Sequence, residues 1–263
     1  MLLTGSTGFL GHYLRAELTR RDLDVVTAGR AGAELLLDLQ QPESIPERVR
    51  GLGPVRVLHA AALSSLAGCE ADPARARTVN TVATARLAEL FGGALLYVST
   101  DLVFDGSAPP YRAGDTPRPR SVYGRTKAEA EAAVLAAGAR VVRIPLLFGP
   151  SFDGRRGATD MIRASRGPVT LYTNERRTPL HAADAARALV ELLLEDGGPE
   201  VRHLAGPERI SRHDLGRLFV EQAGLAPDRV RAGECNDPLR PRDVSLASDW
   251  SCPRSLRDAL ADA

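Results

Sequence analysis

The stretch Leu2-Leu3-Thr4-Gly5-Ser6-Thr7-Gly8-Phe9-Leu10-Gly11 decides how the rest of the chain is read. Leu2–Thr4 is a short apolar strand, and the run from Gly8 to Arg20 has the apolar repeat of a helix. Between them, glycines at every third position allow a tight turn, close approach to a pyrophosphate, and packing of helix against strand. The helix N-terminus adds unpaired N–H groups and the positive end of its dipole. In a chain with 24 glycines the spacing alone is weak. Its place after the first strand and before the first helix makes Gly5, Ser6, Thr7, Gly8, Phe9, Leu10 and Gly11 a dinucleotide-binding turn.

Working outward, short apolar runs alternate with amphipathic ones, the pattern of a parallel α/β sheet. Strands are expected at Leu2–Thr4, Asp24–Ala28, Glu34–Leu37, Val55–His59, Ala94–Ser99 and Arg140–Pro145. Helices are expected at Gly8–Arg20, Pro42–Arg50, Ala74–Phe91 and Tyr123–Ala137. Strand one is short by a residue or two, so the sheet starts abruptly or the start codon lies upstream. The Pro- and Gly-rich run from Gly106 to Pro119 is a surface loop between motif-bearing segments. Past Gly149 the alternation weakens, with helices near Thr159–Arg166, Ala182–Glu195, Ser211–Ala223 and Pro253–Ala261 and strands near Val169–Tyr172 and Val201–Leu204. The expected architecture is a doubly wound parallel Rossmann sheet over residues 1–148, with residues 149–263 mainly a smaller substrate-binding lobe.

Gly29-Arg30 closes the second strand. An acidic residue there would bind the ribose 2′-hydroxyl of NAD, whereas arginine accommodates the 2′-phosphate of NADP, so NADP is favoured with NAD still open. Asp38 and Leu39, after the third strand, can flank the adenine or simply end the strand.

The chain holds 34 basic and 33 acidic residues for a net charge of +1, a balance that argues against nucleic-acid and membrane-surface partners. No apolar run reaches the ~18 residues of a membrane span, and no cationic leader precedes the first motif. Three cysteines, Cys69, Cys235 and Cys252, suggest neither a disulfide framework nor zinc, and the five histidines lack metal-ligand spacing, so no metal is expected. A reducing cytoplasm fits.

The basic residues are 33 arginines and one lysine, Lys127, four residues after Tyr123. Lysine is a compact charge with a tunable pKa, where arginine is a planar fork that stays protonated. On a helix, i and i+4 share a face, so phenol and ammonium can point into one site. Thr100 and Asp101 follow the fifth strand, at the carboxyl edge where doubly wound sheets bind ligands. This set suits ketone reduction: Tyr123 gives a proton to the oxygen, Thr100 hydrogen-bonds it, and Lys127 lowers the tyrosine pKa and holds the nicotinamide ribose.

The glycine turn, strand-end threonine and Tyr-x-x-x-Lys, in this order, resemble the extended short-chain dehydrogenase/reductases. Ser99-Thr100-Asp101-Leu102-Val103-Phe104-Asp105-Gly106 is similar to the Ser-Thr-Asp-Tyr-Val-Phe-Asp-Gly run of dTDP-4-dehydrorhamnose reductases. Ala60-Ala61-Ala62, Asn80, Arg143 to Gly149 and Arg240 to Leu246 match as well, so the resemblance spans almost the whole chain. It implies Thr100, Tyr123 and Lys127 as catalytic residues, Gly5, Gly8 and Gly11 as the pyrophosphate turn, Ala60 to Ala62 along the cofactor, and Asn80 behind the site. It also implies NADPH-dependent reduction of a 4-keto-6-deoxy sugar nucleotide and allows a homodimer. Two departures fall where substrate would be read: Leu102 stands for the family's tyrosine, and Glu175-Arg176-Arg177-Thr178-Pro179 for its Gly-x-Pro-Thr. Thr100, Asp101, Leu102 and Arg177 are the candidate substrate contacts. Arg155-Arg156, Arg176-Arg177 and Arg240/Arg242 are candidates to grip a nucleotide diphosphate, Arg177 foremost. The same motifs resemble the regulatory β subunit of methionine adenosyltransferase, which leaves an NADP-binding regulatory role open beside reduction, and epimerisation is a further alternative.

Overall fold

Most residues of the central strands are apolar, as strands covered on both faces require. In the computed structural model, which describes residues 1–53, 55–248 and 250–263, these are β1 (Leu2–Thr4), β2 (Val26–Gly29), β3 (Leu35–Leu36), β4 (Val57–His59), β5 (Leu95–Thr100), β6 (Arg140–Ile144) and β7 (Val201–His203). Among the described residues they form one seven-stranded sheet, parallel throughout, in the order β7-β6-β5-β4-β1-β2-β3. The chain reverses direction across the sheet between β1 and β4, which opens a crevice at the carboxyl ends of those strands.

Successive side chains alternate between faces. Leu2, Val57, Leu95, Tyr97 and Val141 go to one, and Leu3, Leu58, Leu96, Val98 and Val142 to the other. Four main helices cover them: α1 (Phe9–Arg20), α2 (Ala83–Phe91), α3 (Val122–Ala136) and α4 (Ala182–Leu194). Helices α2 and α3 lie on the first face through Leu87, Ala130 and Val134, and α1 and α4 on the second through Leu14, Leu18, Leu189 and Leu193. Each fully buried leucine here contributes on the order of 1.5–3 kcal/mol. No helix among the described residues is long and apolar enough to cross a membrane.

Residues past 149 do not all lie in the lobe. Helix α4 and strand β7 return to the sheet, and β7 pairs with β6. The remainder, joined by Phe148, builds a second core from Ile162, Leu171, Leu215, Phe219 and Leu260. There Val169–Tyr172 pairs in parallel with Val230–Gly233. The periodic stretch expected as one helix to Phe91 is an α-helix at Pro73–Arg77, a π-helical turn at Thr78–Val82, and then α2. The Gly106–Pro119 loop is pinned inward at Tyr111, whose ring stacks on Phe104 at 4.1 Å and whose N–H donates to the Ser245 carbonyl at 2.8 Å.

Candidate active site

A cleft of about 690 Å³ opens at the carboxyl edge of the sheet. Of the residues expected at the site, Gly5, Thr7, Gly8, Phe9, Leu10, Gly11, Arg30, Asp38, Leu39, Ala60, Ala61, Ala62, Thr100, Asp101, Leu102, Tyr123, Lys127 and Arg177 all line it. Ser6 does not: it is buried within the turn, its hydroxyl without a hydrogen-bond partner. The glycines are there for space. A Cβ on Gly5, at φ +75°, would lie 2.7 Å from the Ala61 nitrogen, and one on Gly11 would lie 1.9 Å from the Gly5 carbonyl oxygen. No side chain caps α1 at Gly8 and its first turn holds no acidic residue, so the positive end of the helix faces the cleft unneutralised. Arg30 is exposed at the end of β2. Asp38 also closes its own turn, accepting from the Gln40 N–H at 3.0 Å.

The candidate trio comes from two elements. Thr100 ends β5, and its hydroxyl accepts from the Leu102 N–H and donates to Asp101 Oδ1, both at 3.2 Å. Helix α3 starts at a Ser121 cap, with Ser121 Oγ accepting from the Gly124 N–H at 3.1 Å. A Cβ on Gly124 would sit 2.3 Å from the Leu102 carbonyl, so only glycine lets this turn of α3 close on the end of β5. That approach brings Tyr123 into the cleft beside Thr100. One turn on, Lys127 is buried, its Nζ donating to the Val98 carbonyl at 2.7 Å and lying 4.0 Å from the Tyr97 ring centroid.

Burial dominates the electrostatics here. It pushes the Lys127 ammonium down to about 7, against the opposing pull of Glu131. It also raises the Tyr123 phenol above its ordinary value; the Asp101 charge adds to the rise and a Thr100 hydrogen bond opposes it. The phenol is therefore raised rather than lowered as its spacing to Lys127 led one to expect, with burial the leading cause and the Asp101 charge adding to it. Tyr123 stays protonated at neutral pH.

Glu131 was not anticipated, although Tyr123, Lys127 and Glu131 stand at i, i+4 and i+8 on one face of α3. It accepts from Ser99 Oγ at 2.5 Å and from Arg143 Nη2 at 2.7 Å, both side chains of the ion pair being 3% exposed. Arg143 in turn donates to the Ala113 carbonyl at 3.1 Å. One carboxylate thus ties α3 to the residue before Thr100, to β6 and to the Gly106–Pro119 loop. On the far side, Asn80 in the π-helical turn accepts from the Leu63 N–H at 2.8 Å and donates to Thr126 Oγ1 at 3.1 Å, joining the segment after β4 to α3. His59 is enclosed between Thr4 Oγ1 at 2.6 Å and Thr84 Oγ1 at 2.9 Å, and burial pushes its pKa down to about 3, which keeps it neutral.

The lobe side of the cleft is charged. Arg177 is spent on the protein itself, with Nε 3.3 Å from Asp101 Oδ2 and Nη2 3.0 Å from Glu175 Oε1. Glu175 also pairs with Arg240 at 3.1 Å. Burial raises Asp101 to about 6 against the Arg177 charge. Arg212 lines the same wall, and none of the ion pairs found among the described residues involves it. Among 33 arginines, nothing in the sequence marks Arg212. Arg156 lies at the opposite end, its Nη1 donating to the Thr7 carbonyl at 2.7 Å.

The RmlD substrate binding domain family matches residues 1–255 of the chain. A dTDP-4-dehydrorhamnose reductase of Mycobacterium tuberculosis (strain CDC 1551 / Oshkosh) is 33% identical across 99% of this chain and 86% of its own. The methionine adenosyltransferase 2 subunit beta of Pongo abelii is 30% identical across 94% of this chain and 79% of its own. Among solved structures, a dTDP-4-dehydrorhamnose reductase from Bacillus anthracis str. Ames in complex with NADP shares the fold, with a TM-score of 0.87 over 99% of this chain and 96% of that one at 20% identity.

Proposed function

We propose, for a chain that belongs to the RmlD substrate binding domain family, an NADPH-dependent oxidoreductase that reduces the ketone of a 4-keto-6-deoxy sugar nucleotide, in the manner of a dTDP-4-dehydrorhamnose reductase. The observation that carries this reading is the meeting of Thr100, Tyr123 and Lys127 with the glycine turn in one cleft. The M. tuberculosis relative supports the substrate class.

The residues present fit a dinucleotide. The turn from Gly5 to Gly11 has the backbone space and the uncapped helix end for a pyrophosphate. Arg30 suits a 2′-phosphate. Lys127 would hold the nicotinamide ribose. When bound, NADPH supplies the hydride that reduces the ketone carbon. The protein acts on the oxygen: Thr100 donates a hydrogen bond as charge develops there, and Tyr123, kept protonated by burial, delivers the proton that completes the alcohol. Leu102 gives the sugar an apolar wall suited to a 6-deoxy methyl group. Arg212, together with the partly exposed Arg240 despite its pairing to Glu175, is placed for the substrate's diphosphate, rather than the buried and doubly paired Arg177. Free thiols at Cys69, Cys235 and Cys252 suit a reducing cytoplasm, and a homodimer is the assembly the reading expects.

The Pongo abelii relative favours a second reading, a regulatory subunit whose cleft binds NADP without turnover. The test is NADPH consumption, followed by its near-ultraviolet absorbance, with a dTDP-4-keto-6-deoxyhexose and the purified protein beside a Lys127→Arg variant. Turnover by the parent and its loss in the variant are expected. Binding without consumption across several keto-sugar nucleotides would overturn the reductase reading in favour of the regulatory one. Interconversion of sugars with no net NADPH loss would point to epimerisation.

A further inference from the structure

The loop between Gly149 and Ala158 meets the glycine turn from the other half of the chain. Its base is fixed. Tyr13 of α1 donates from its hydroxyl to the Pro150 carbonyl at 2.5 Å. Asp160 Oδ2 accepts from the N–H of Ser151 at 3.1 Å and of Gly157 at 2.8 Å, and also from Ser151 Oγ, so one carboxylate closes both ends of the loop. The tip, residues 152–156, is exposed and touches α1 and its turn at two places. The Phe152 ring lies 5.6 Å from that of His12. Arg156 donates from Nη1 to the Thr7 carbonyl at 2.7 Å, across 149 residues of sequence. The Arg156 guanidinium is oriented by Asp153 Oδ2 at 2.9 Å and by the Phe152 ring at 4.9 Å.

Arg156 therefore sits in the cleft wall beside a helix terminus that no side chain caps and no acid neutralises. A backbone carbonyl is a weak partner for a guanidinium, and a diphosphate oxygen a strong one. Resting on the NADP reading above, we propose that residues 150–157 form a clasp over the glycine turn. Arg156 is the cation that transfers from the Thr7 carbonyl to the cofactor's diphosphate, so the tip closes on the bound dinucleotide. Among the three arginine groups considered for a substrate diphosphate, this one serves the cofactor instead.

The test is equilibrium binding by calorimetry with parent, Arg156→Ala and Arg156→Lys proteins, titrated with NADPH and with adenosine 2′-monophosphate, which has no diphosphate. Arg156→Ala is expected to weaken NADPH binding about 10- to 100-fold, from the worth of a charge-assisted hydrogen bond, and to leave the monophosphate unaffected; Arg156→Lys recovers part of the loss. NADPH should also slow tryptic cleavage at Arg155 in the parent and no longer do so in Arg156→Ala. Unchanged NADPH affinity in Arg156→Ala, an equal loss for both ligands, or cleavage indifferent to NADPH overturns the clasp. A parent that does not bind NADPH at all overturns the cofactor reading itself, a separate outcome.

Discussion

Replacing Glu131 by glutamine keeps the shape of the α3 face and removes a buried negative charge. In the parent, Glu131 takes hydrogen bonds from Arg143 Nε at 3.0 and 3.1 Å, from Arg143 Nη2 at 2.7 Å and from Ser99 Oγ at 2.5 Å. Without it the Arg143 guanidinium stays buried with the Ala113 carbonyl at 3.1 Å, His203 Nε2 at 3.3 Å and the Phe104 ring at 5.0 Å. None of these is an anion, and burial with a neighbouring Arg143 charge holds the His203 imidazole neutral by pushing its pKa down to about 4. Breaking a buried pair from one side costs about 3–5 kcal/mol. At about 2–4 °C per kcal/mol for a chain of this size, the melting temperature should fall by roughly 6–20 °C. Urea and thermal denaturation followed by circular dichroism measure this. A paired Glu131→Met/Arg143→Met variant should lose less than the single one, since no charge is stranded. Glu131→Gln within about 1 kcal/mol of the parent, or a double variant as damaged as the single, would refute the reasoning. Glu131 also holds Lys127 upward, so the variant should lose its ammonium at lower pH than the parent does.

Gly11→Ala should abolish NADPH binding and lower stability, because the new Cβ falls 1.9 Å from backbone, whereas Gly8→Ala, 3.2 Å from the same Gly5 oxygen, should cost less stability yet still weaken NADPH, since the second glycine lets the backbone approach the pyrophosphate; calorimetry and melting curves on both decide. Arg30→Ser should weaken NADPH at least tenfold on the worth of one charged hydrogen bond and leave NADH unchanged; an equal loss for both cofactors contradicts the 2′-phosphate role. Lys127 titrates near 7 folded and 10.5 as a free side chain, so between those values the unfolded chain binds the extra proton and this group's contribution to stability rises with pH, by up to about 1.4 kcal/mol per unit. Urea unfolding of parent and Lys127→Met at pH 7 to 9 should therefore diverge in the parent's favour, and parallel curves would show that Lys127 is not depressed.

The candidate site was legible where its parts are local. The glycine turn joins adjacent elements, Tyr123 and Lys127 lie one helical turn apart, and Thr100 ends its strand, so short-range spacing carries their placement. Glu131 obeys the same helical repeat and could have been read by continuing it. The π-helical turn at Thr78–Val82 was not legible, because the apolar repeat on either side hides one extra residue in a turn. Nor was the return of α4 and β7 to the sheet, since a parallel partner for β6 can come from any distance along the chain.

By itself the sequence determined the parallel α/β class and picked out the candidate cofactor turn and the candidate trio that the structure gathers into one cleft, because strand and helix periodicities and i, i+4 spacing are properties of neighbouring residues. Only the tertiary structure decided which charges are free and which are consumed. Arg177 is locked by Asp101 and Glu175, Arg156 reaches the glycine turn, and burial raises the Tyr123 phenol. Those outcomes depend on desolvation and on contacts between distant segments, and an arginine's partner is not written in its own surroundings along the chain.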